Sequence, residues 1–156
     1  MHLHKYEKIW LIFGVSSLIL FLTILGVSAF AMGHHPPSHM HTVDPQNLNN
    51  DPMFSNPGLE QIDDTTYRAT IIGQAFGYSP SVIEVPVGST VEFHVTSADV
   101  VHSFTIPGTN VNFMLTPGHV NMSVHTFHEP GEYLVICNEY CGTGHHHMQM
   151  RIEVTP

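Results

Sequence analysis

The chain has 156 residues, of which 4 are Lys or Arg, 13 are Asp or Glu, 14 are His and 2 are Cys, with a formal net charge of −9. This length suits a single domain, and the scarcity of basic residues argues against nucleic acid as a partner, because neutralising phosphates requires clustered Lys and Arg. Two cysteines are too few for a disulfide-rich scaffold, whereas 14 histidines point to metal or pH-dependent chemistry.

The first predicted element is a transmembrane helix over residues 9–32. No charged residue occurs between Ile9 and Gly33, and at about 1.5 Å per residue this run spans a hydrocarbon core of roughly 30 Å. The alternative is a cleaved signal peptide, but its apolar region is normally only about 7–15 residues long. Because Lys5 and Lys8 precede the helix, we expect residues 1–8 to be cytoplasmic and the rest of the chain to face outward.

Residues 33–65 are predicted to form a linker rich in Pro and His. They show no sustained period of 2 or 3.6 residues. Four histidines cluster near the membrane end of this segment, namely His34, His35, His39 and His41. Such a cluster is able to bind a copper or zinc ion, but it is also tolerated in a flexible loop without any metal, and the sequence leaves both interpretations open.

Residues 66–156 are predicted to form an antiparallel β-sandwich or Greek-key barrel, with no helix after residue 33. Val91, Phe93 and Val95 alternate with polar residues, and the same period of two runs from Met148 to Val154. Further strands are predicted at 67–76, 82–87, 102–106, 111–115, 119–127 and 132–137, separated by turns that contain Pro or Gly. Many short strands in one domain are typical of this all-β fold class.

The residues suited to metal chemistry lie in the predicted loop before the last strand. Cys137, Cys141, His145 and Met148 place two thiols, an imidazole and a thioether within twelve residues, a donor set that favours copper or another soft metal over Mg or Ca. When each of these residues is considered alone, other interpretations remain open: a strained disulfide between the cysteines, a structural zinc site, or a core position for Met148. His102, about 35 residues upstream, could complete the ligand set.

Together these residues carry a resemblance to a known family. The pattern Cys-x-Glu-x-Cys-x-x-x-His-x-x-Met from Cys137 to Met148, preceded by Asp-Val-Val-His ending at His102, resembles the binuclear CuA site of cytochrome c oxidase subunit II. The single apolar run, the linker and the predicted barrel resemble the short form of this subunit in B-type haem-copper oxidases. Three further stretches resemble that group: 75–80, 107–112 and 130–133.

The resemblance implies a cupredoxin-like fold for residues 66–156 and a site for two copper ions. The implied ligands are two bridging thiolates, two imidazoles, one thioether and one backbone carbonyl, contributed by Cys137, Cys141, His102, His145, Met148 and Glu139. The neighbouring His146 and His147 leave a ligand swap open, although the spacing favours His145. Asp99 is expected either to support a ligand imidazole by a hydrogen bond or to cap its own turn.

The resemblance also implies a function. Electrons from cytochrome c or a small copper protein would pass through this chain to subunit I, which bears haem and CuB and couples oxygen reduction to proton translocation. Phe76 and Tyr78 are candidates for the electron-accepting surface, and Glu7 for proton uptake at the inner membrane surface. The expected location is a prokaryotic plasma membrane, with the single helix in lipid and the copper domain on the outer, periplasmic face. The alternative is a membrane-anchored cupredoxin that acts as a stand-alone electron carrier or delivers copper.

Overall fold

The computed structural model describes residues 4–31 and 38–156, and the chain divides into two compact units near residue 35. The first unit is a helix, α1, over Lys5–Ala31. Its apolar side chains cover every face, and none of its residues is buried, as expected of a helix whose surroundings are lipid. It is long and apolar enough to cross a membrane, and it includes residues 9–31 of the predicted span, whose last residue, Met32, lies outside the described residues.

The second unit consists of two β-sheets that enclose one hydrophobic core. The strands are β1 Ser38–Thr42, β2 Gly58–Gln61, β3 Thr66–Gln74, β4 Gly77–Ser79, β5 Val82–Pro86, β6 Thr90–Ser97, β7 His102–Thr105, β8 Asn112–Leu115, β9 His119–Thr126, β10 Gly131–Ile136 and β11 Gln149–Thr155. A six-stranded sheet has the order β1-β9-β6-β3-β2, with β4 also paired to β3, and a five-stranded sheet has the order β5-β11-β10-β7-β8. Single-turn 3-10 helices occur at Leu48–Asn50 and His145–His147.

Two strand pairs differ from the predicted antiparallel arrangement. β3 runs parallel to β6 and β5 runs parallel to β11, whereas the other pairs are antiparallel. Parallel neighbours require a crossover rather than a tight turn, and here the chain between β3 and β6 supplies one because β5 joins the opposite sheet. The predicted strand at 67–76 also divides, because a tight turn at Ala75 and Phe76 returns the chain from β3 into β4.

The core between the sheets is dominated by aromatic side chains. Phe104 lies at its centre, with ring centroids 5.4 Å from Phe93, 5.6 Å from Phe113 and 5.7 Å from Tyr78. Offset and edge-to-face contacts of this kind add to the hydrophobic contribution of each buried ring. Because Phe104 is only two residues from His102, the same packing holds the start of β7 in place.

The segment predicted as a linker contributes two strands and a second, smaller hydrophobic cluster. β1 pairs with β9 and β2 pairs with β3, while Val43, Leu48 and Phe54 pack against Ile72 and Val120. The apolar residues here follow no period of 2 or 3.6, so local periodicity gives no signal, and burial arises only when the segment covers the outer face of the six-stranded sheet. Of the clustered histidines, His34, His35 and the side chain of His39 lie outside the described part of the chain.

Candidate metal centre

The candidate metal centre lies where the start of β7 meets the loop between β10 and β11. Ile136 at the end of β10 pairs with Thr105 of β7. Because these strands are antiparallel, the residues that follow Ile136 lie beside the residues that precede Thr105, toward the start of β7. The main-chain N–H of Asn138 donates to the Ser103 hydroxyl. The pairing therefore brings residues 102 and 137 together although they are far apart in the sequence.

Three ligand-type side chains meet at this position. The ligand atoms of His102, Cys137 and Cys141 all lie within 4.8 Å of one another. His102 is fully buried and Cys137 is 8% exposed. Both cysteines are free thiols, so the disulfide that the sequence left open does not form here, and the sulfurs remain available to a metal ion.

The remaining predicted ligands surround this cluster. The Cys141 Sγ lies 3.6 Å from His145 Nδ1 and 3.6 Å from Met148 Sδ. The Cys137 thiol donates to the Glu139 carbonyl oxygen at 3.2 Å. The structure thus brings all six predicted donors to one end of the sandwich. The extra imidazoles of His146 and His147 are exposed and contact each other, with ring centroids 3.9 Å apart.

Asp99 supports the imidazole of His102. Its Oδ1 lies 2.7 Å from His102 Nε2, and its Oδ2 accepts a hydrogen bond from the Ala75 N–H at 2.5 Å. Burial by itself would raise the pKa of Asp99, but the hydrogen bonds from His102, Val100 and Ala75 outweigh it and lower the pKa below its usual value. The carboxylate therefore stays charged, links β7 to the β3–β4 turn, and occupies Nε2 of His102, so that Nδ1 is the ring nitrogen available to a metal ion.

The donor set fits copper. The Nδ1 of His102 is buried and has no hydrogen-bond partner among the residues that the structure describes, although a buried polar atom of this kind normally has one. Burial and the adjacent Cys137 raise the pKa of Cys141, since two thiolates repel each other in the absence of a cation. A bound metal ion would remove both penalties, because it accepts the imidazole lone pair and stabilises the thiolates. Thiolate, thioether and imidazole together favour copper.

Phe76 covers the metal-binding loop from the outside. Its backbone φ is +70°, which is uncommon for a non-glycine residue, and its ring lies against Gly142 and Gly144 so closely that a Cβ on Gly144 would be 2.4 Å from Phe76 Cγ. The ring remains 43% exposed. Tyr78, the other predicted surface residue, is instead buried, and its hydroxyl donates to the Ser103 carbonyl oxygen at 2.5 Å.

Ser103 is a site residue that the sequence pattern does not single out. Its main-chain N–H donates to the Cys137 Sγ at 3.5 Å, and its hydroxyl and carbonyl hold Asn138 and Tyr78. The available signal is weak: a small polar residue directly after a candidate ligand, within the predicted strand at 102–106. Its importance depends on the pairing of β7 with β10, which local sequence does not encode.

Comparison with known proteins identifies the family. The family model described as "Cytochrome C oxidase subunit II, periplasmic domain" matches residues 71–155, more than half of the chain. Cytochrome c oxidase subunit 2 of Thermus thermophilus is 37% identical over 147 residues, which cover 92% of this chain and 88% of that protein. The chain belongs to the cytochrome c oxidase subunit II family. Another subunit 2, from Saccharomyces cerevisiae, is 41% identical to this subunit II over 69 residues, which are 44% of this chain and 28% of the yeast protein.

Solved structures agree with this family and confirm the predicted fold. A chain of a haem-copper terminal oxidase dimer matches this subunit II with a TM-score of 0.82 and 32% identity over 96% of this chain and 99% of that one. The periplasmic domain of subunit II from Bradyrhizobium japonicum matches with a TM-score of 0.52 and 22% identity, over 61% of this chain and 86% of that one. This subunit II is therefore a cupredoxin-like component of cytochrome c oxidase, a haem-copper terminal oxidase, with one candidate membrane-spanning helix.

Proposed function

We propose that this subunit II accepts electrons through a binuclear CuA centre held between β7 and residues 137–148. The observation that carries the proposal is the cluster of His102 with two free thiols, whose ligand atoms lie within 4.8 Å of one another, together with the buried Nδ1 of His102, which has no hydrogen-bond partner among the described residues. Bound there, the copper pair would share one electron across both ions, so that charge is spread and the ligand bonds change little between redox states.

The chain's own residues have distinct roles in this proposal. Cys137 and Cys141 would hold the copper pair through their thiolates, His102 and His145 would each hold one copper ion through an imidazole, and the Met148 thioether and the Glu139 carbonyl would add weak bonds. Met148 is 3% exposed, so water is largely excluded on that side. Because five of the six donors lie on a loop fixed at both ends by β10 and β11, and His102 lies at the start of β7, the site is held in one geometry.

Replacing Met148 with leucine should keep both copper ions and raise the reduction potential. The substitution conserves volume but removes a weak donor, and an apolar neighbour disfavours the more highly charged oxidised state. We expect a rise of about 60 mV, equivalent to roughly tenfold in a one-electron equilibrium, measured by a redox titration of the copper absorption. Met150→Leu is the matched control, since Met150 is 1% exposed on the adjacent strand and faces the core. Loss of copper from Met148→Leu would disprove the weak-ligand assignment.

Replacing Asp99 with alanine should weaken copper binding by about 10–100-fold, which is the usual effect of removing a group that orients a metal-binding imidazole. The physical reason is that His102 Nε2 loses its partner at 2.7 Å, so the ring is free to rotate away from the sulfurs. Competition with a copper chelator measures the affinity. Asp64→Ala, which removes an exposed carboxylate of equal charge, is the control. If Asp99 only capped its turn, the affinity would not change.

The proposed function is tested by copper content and spectroscopy of the full chain purified with its oxidase. We expect two copper ions per subunit II by elemental analysis, and an electron paramagnetic resonance spectrum in which one unpaired electron interacts with both copper nuclei. One copper ion with a single intense blue absorption band would instead support a stand-alone mononuclear carrier. Copper that is lost readily, without electron transfer to haem, would support the copper-delivery alternative.

The partners follow from the same proposal. Subunit I, with its haem and CuB, would receive the electrons, and cytochrome c or a small copper protein would donate them. Phe76, whose ring is exposed, would form part of the donor-facing surface, whereas Tyr78 is buried. Outside the helix, only Arg68 and Arg151 oppose twelve acidic residues, so a basic donor would be attracted at low salt. An electron-transfer rate that does not vary with salt would remove this attraction from the proposal.

The membrane arrangement completes the proposal. We propose that residues 1–8 are cytoplasmic, that residues 9–32 span the lipid of a prokaryotic plasma membrane, and that the copper domain is periplasmic. Glu7 lies in the first turn of α1, where its carboxylate accepts a hydrogen bond from the His4 N–H at 3.3 Å. An acidic group at the inner membrane surface is suited to proton uptake, and we propose this role for Glu7.

A further inference from the structure

A buried histidine on the outer face of the six-stranded sheet has no assigned role. Phe93 and Val95 of β6 face the core, so His94 between them faces the opposite side. His94 is only 5% exposed. In the part of the chain that the structure describes, neither of its ring nitrogens has a hydrogen-bond partner. Since burying an unpaired polar group is costly, this imidazole is a candidate to bind a ligand or a metal ion.

The neighbours of His94 across the sheet are also metal-binding residue types. Met122 on β9 is directly opposite His94, and side chains in this relation contact each other on the same face. On the next strand, His41 of β1 is opposite Val120, two residues from Met122 and therefore on the same face. An imidazole, a thioether and a second imidazole thus follow one another across β6, β9 and β1.

The charges around this face are compatible with a bound cation. Arg68 of β3 is the nearest basic residue along the sheet, but it lies between two acids: Glu60, at 3.4 Å in an ion pair, and Glu92, its partner on β6. The local balance is therefore negative. Two imidazoles and a thioether are soft to intermediate ligands, which favour monovalent copper, whereas a thioether is a poor ligand for zinc.

We propose that His94, Met122 and His41 form a second copper site, which takes a single Cu(I) ion on the outer face of the six-stranded sheet. The site is independent of the thiol centre, because it lies on the opposite side of this sheet from the core and uses none of the same residues. It would also join β1 to the rest of the domain, since one of its ligands comes from β1 and the others from β6 and β9.

The test is an anaerobic titration of the full chain, purified in detergent, with Cu(I) buffered by a chromogenic chelator. It is performed in a Cys137→Ser/Cys141→Ser/Met148→Leu background, which removes the thiols and the thioether of the first centre, so that failure of that centre and failure of this site are distinguished. We expect one tightly held Cu(I) equivalent in this background. His94→Leu, Met122→Leu and His41→Ala should each weaken its binding at least about tenfold, because loss of a ligand should cost no less than loss of a supporting contact. Circular dichroism establishes that each variant is folded.

His128→Ala is the matched control, since it removes an exposed imidazole elsewhere in the domain. Cu(I) binding should be unchanged in this variant. Should His128→Ala weaken binding as much as His94→Leu does, the copper is held adventitiously by surface histidines and the proposal is wrong. It is equally wrong if the cysteine-free parent binds no Cu(I), or if the conservative Met122→Leu and His41→Ala variants bind it as tightly as the parent.

Discussion

Replacing Cys137 with serine should reduce the copper content of subunit II from two ions to at most one, and should abolish electron transfer into the oxidase. The bridging role requires a thiolate, and a serine hydroxyl does not ionise at neutral pH. The sandwich should stay folded, because serine is close in size to cysteine and can still bond the Glu139 carbonyl and the Ser103 N–H now held by Cys137. We expect a loss of about 1 kcal/mol in unfolding free energy.

Elemental analysis, electron paramagnetic resonance and stopped-flow reduction of the complex measure these effects. His146→Ala is the matched control, since His146 is an exposed imidazole in the same loop, and it should retain both copper ions. If His146→Ala lost copper, the ligand would be His146 rather than His145, which is the swap that the sequence left open. If Cys137→Ser retained two copper ions, the bridging assignment would be wrong.

Replacing Gly144 with alanine should destabilise the metal-binding loop by about 1–3 kcal/mol, the usual cost of overpacking. An added Cβ would lie 2.4, 2.6 and 2.8 Å from three ring carbons of Phe76. The φ of Gly144 is −93°, which any residue can adopt, so the cost arises from this clash and not from the backbone. Either the ring or the loop must move, and either change should alter the copper spectrum.

A double-mutant cycle isolates the clash. Phe76→Ala in the Gly144→Ala background should recover most of the loss that Gly144→Ala causes, measured by urea unfolding followed by circular dichroism. Gly77→Ala is the control, because a Cβ at Gly77 meets nothing within 4 Å, and it should change stability by less than about 0.5 kcal/mol. If Phe76→Ala does not relieve the loss, the ring is not the obstructing group.

Most strands could be predicted because their signal is local. β6 and β11 each alternate apolar and polar residues, and the predicted positions of both agree with the structure to within about two residues. The spacing of Cys137, Cys141, His145 and Met148 is likewise local, since one short loop can bring all four together without information from elsewhere in the chain. For this reason the copper loop and the family were apparent in the amino-acid sequence.

Elements without a local pattern were missed or misjudged. β1 and β2 lie in a Pro-rich segment whose apolar residues show no strand period, so only their pairing with β9 and β3 identifies them. The parallel pairs β3–β6 and β5–β11 depend on which sheet each strand joins. Strand pairing is a property of packing, and propensity carries little information about it.

The sequence by itself determined that the chain has one apolar helix, a β-rich domain and a cluster of soft metal ligands near its C-terminus, because each of these depends on residues close together in the chain. Only the tertiary structure decided which groups support that cluster: Asp99 against His102, Ser103 against Cys137, and Phe76 against Gly144. It alone also placed His94 beside Met122. These contacts join distant residues, and they exist only once the two sheets have folded around their shared core.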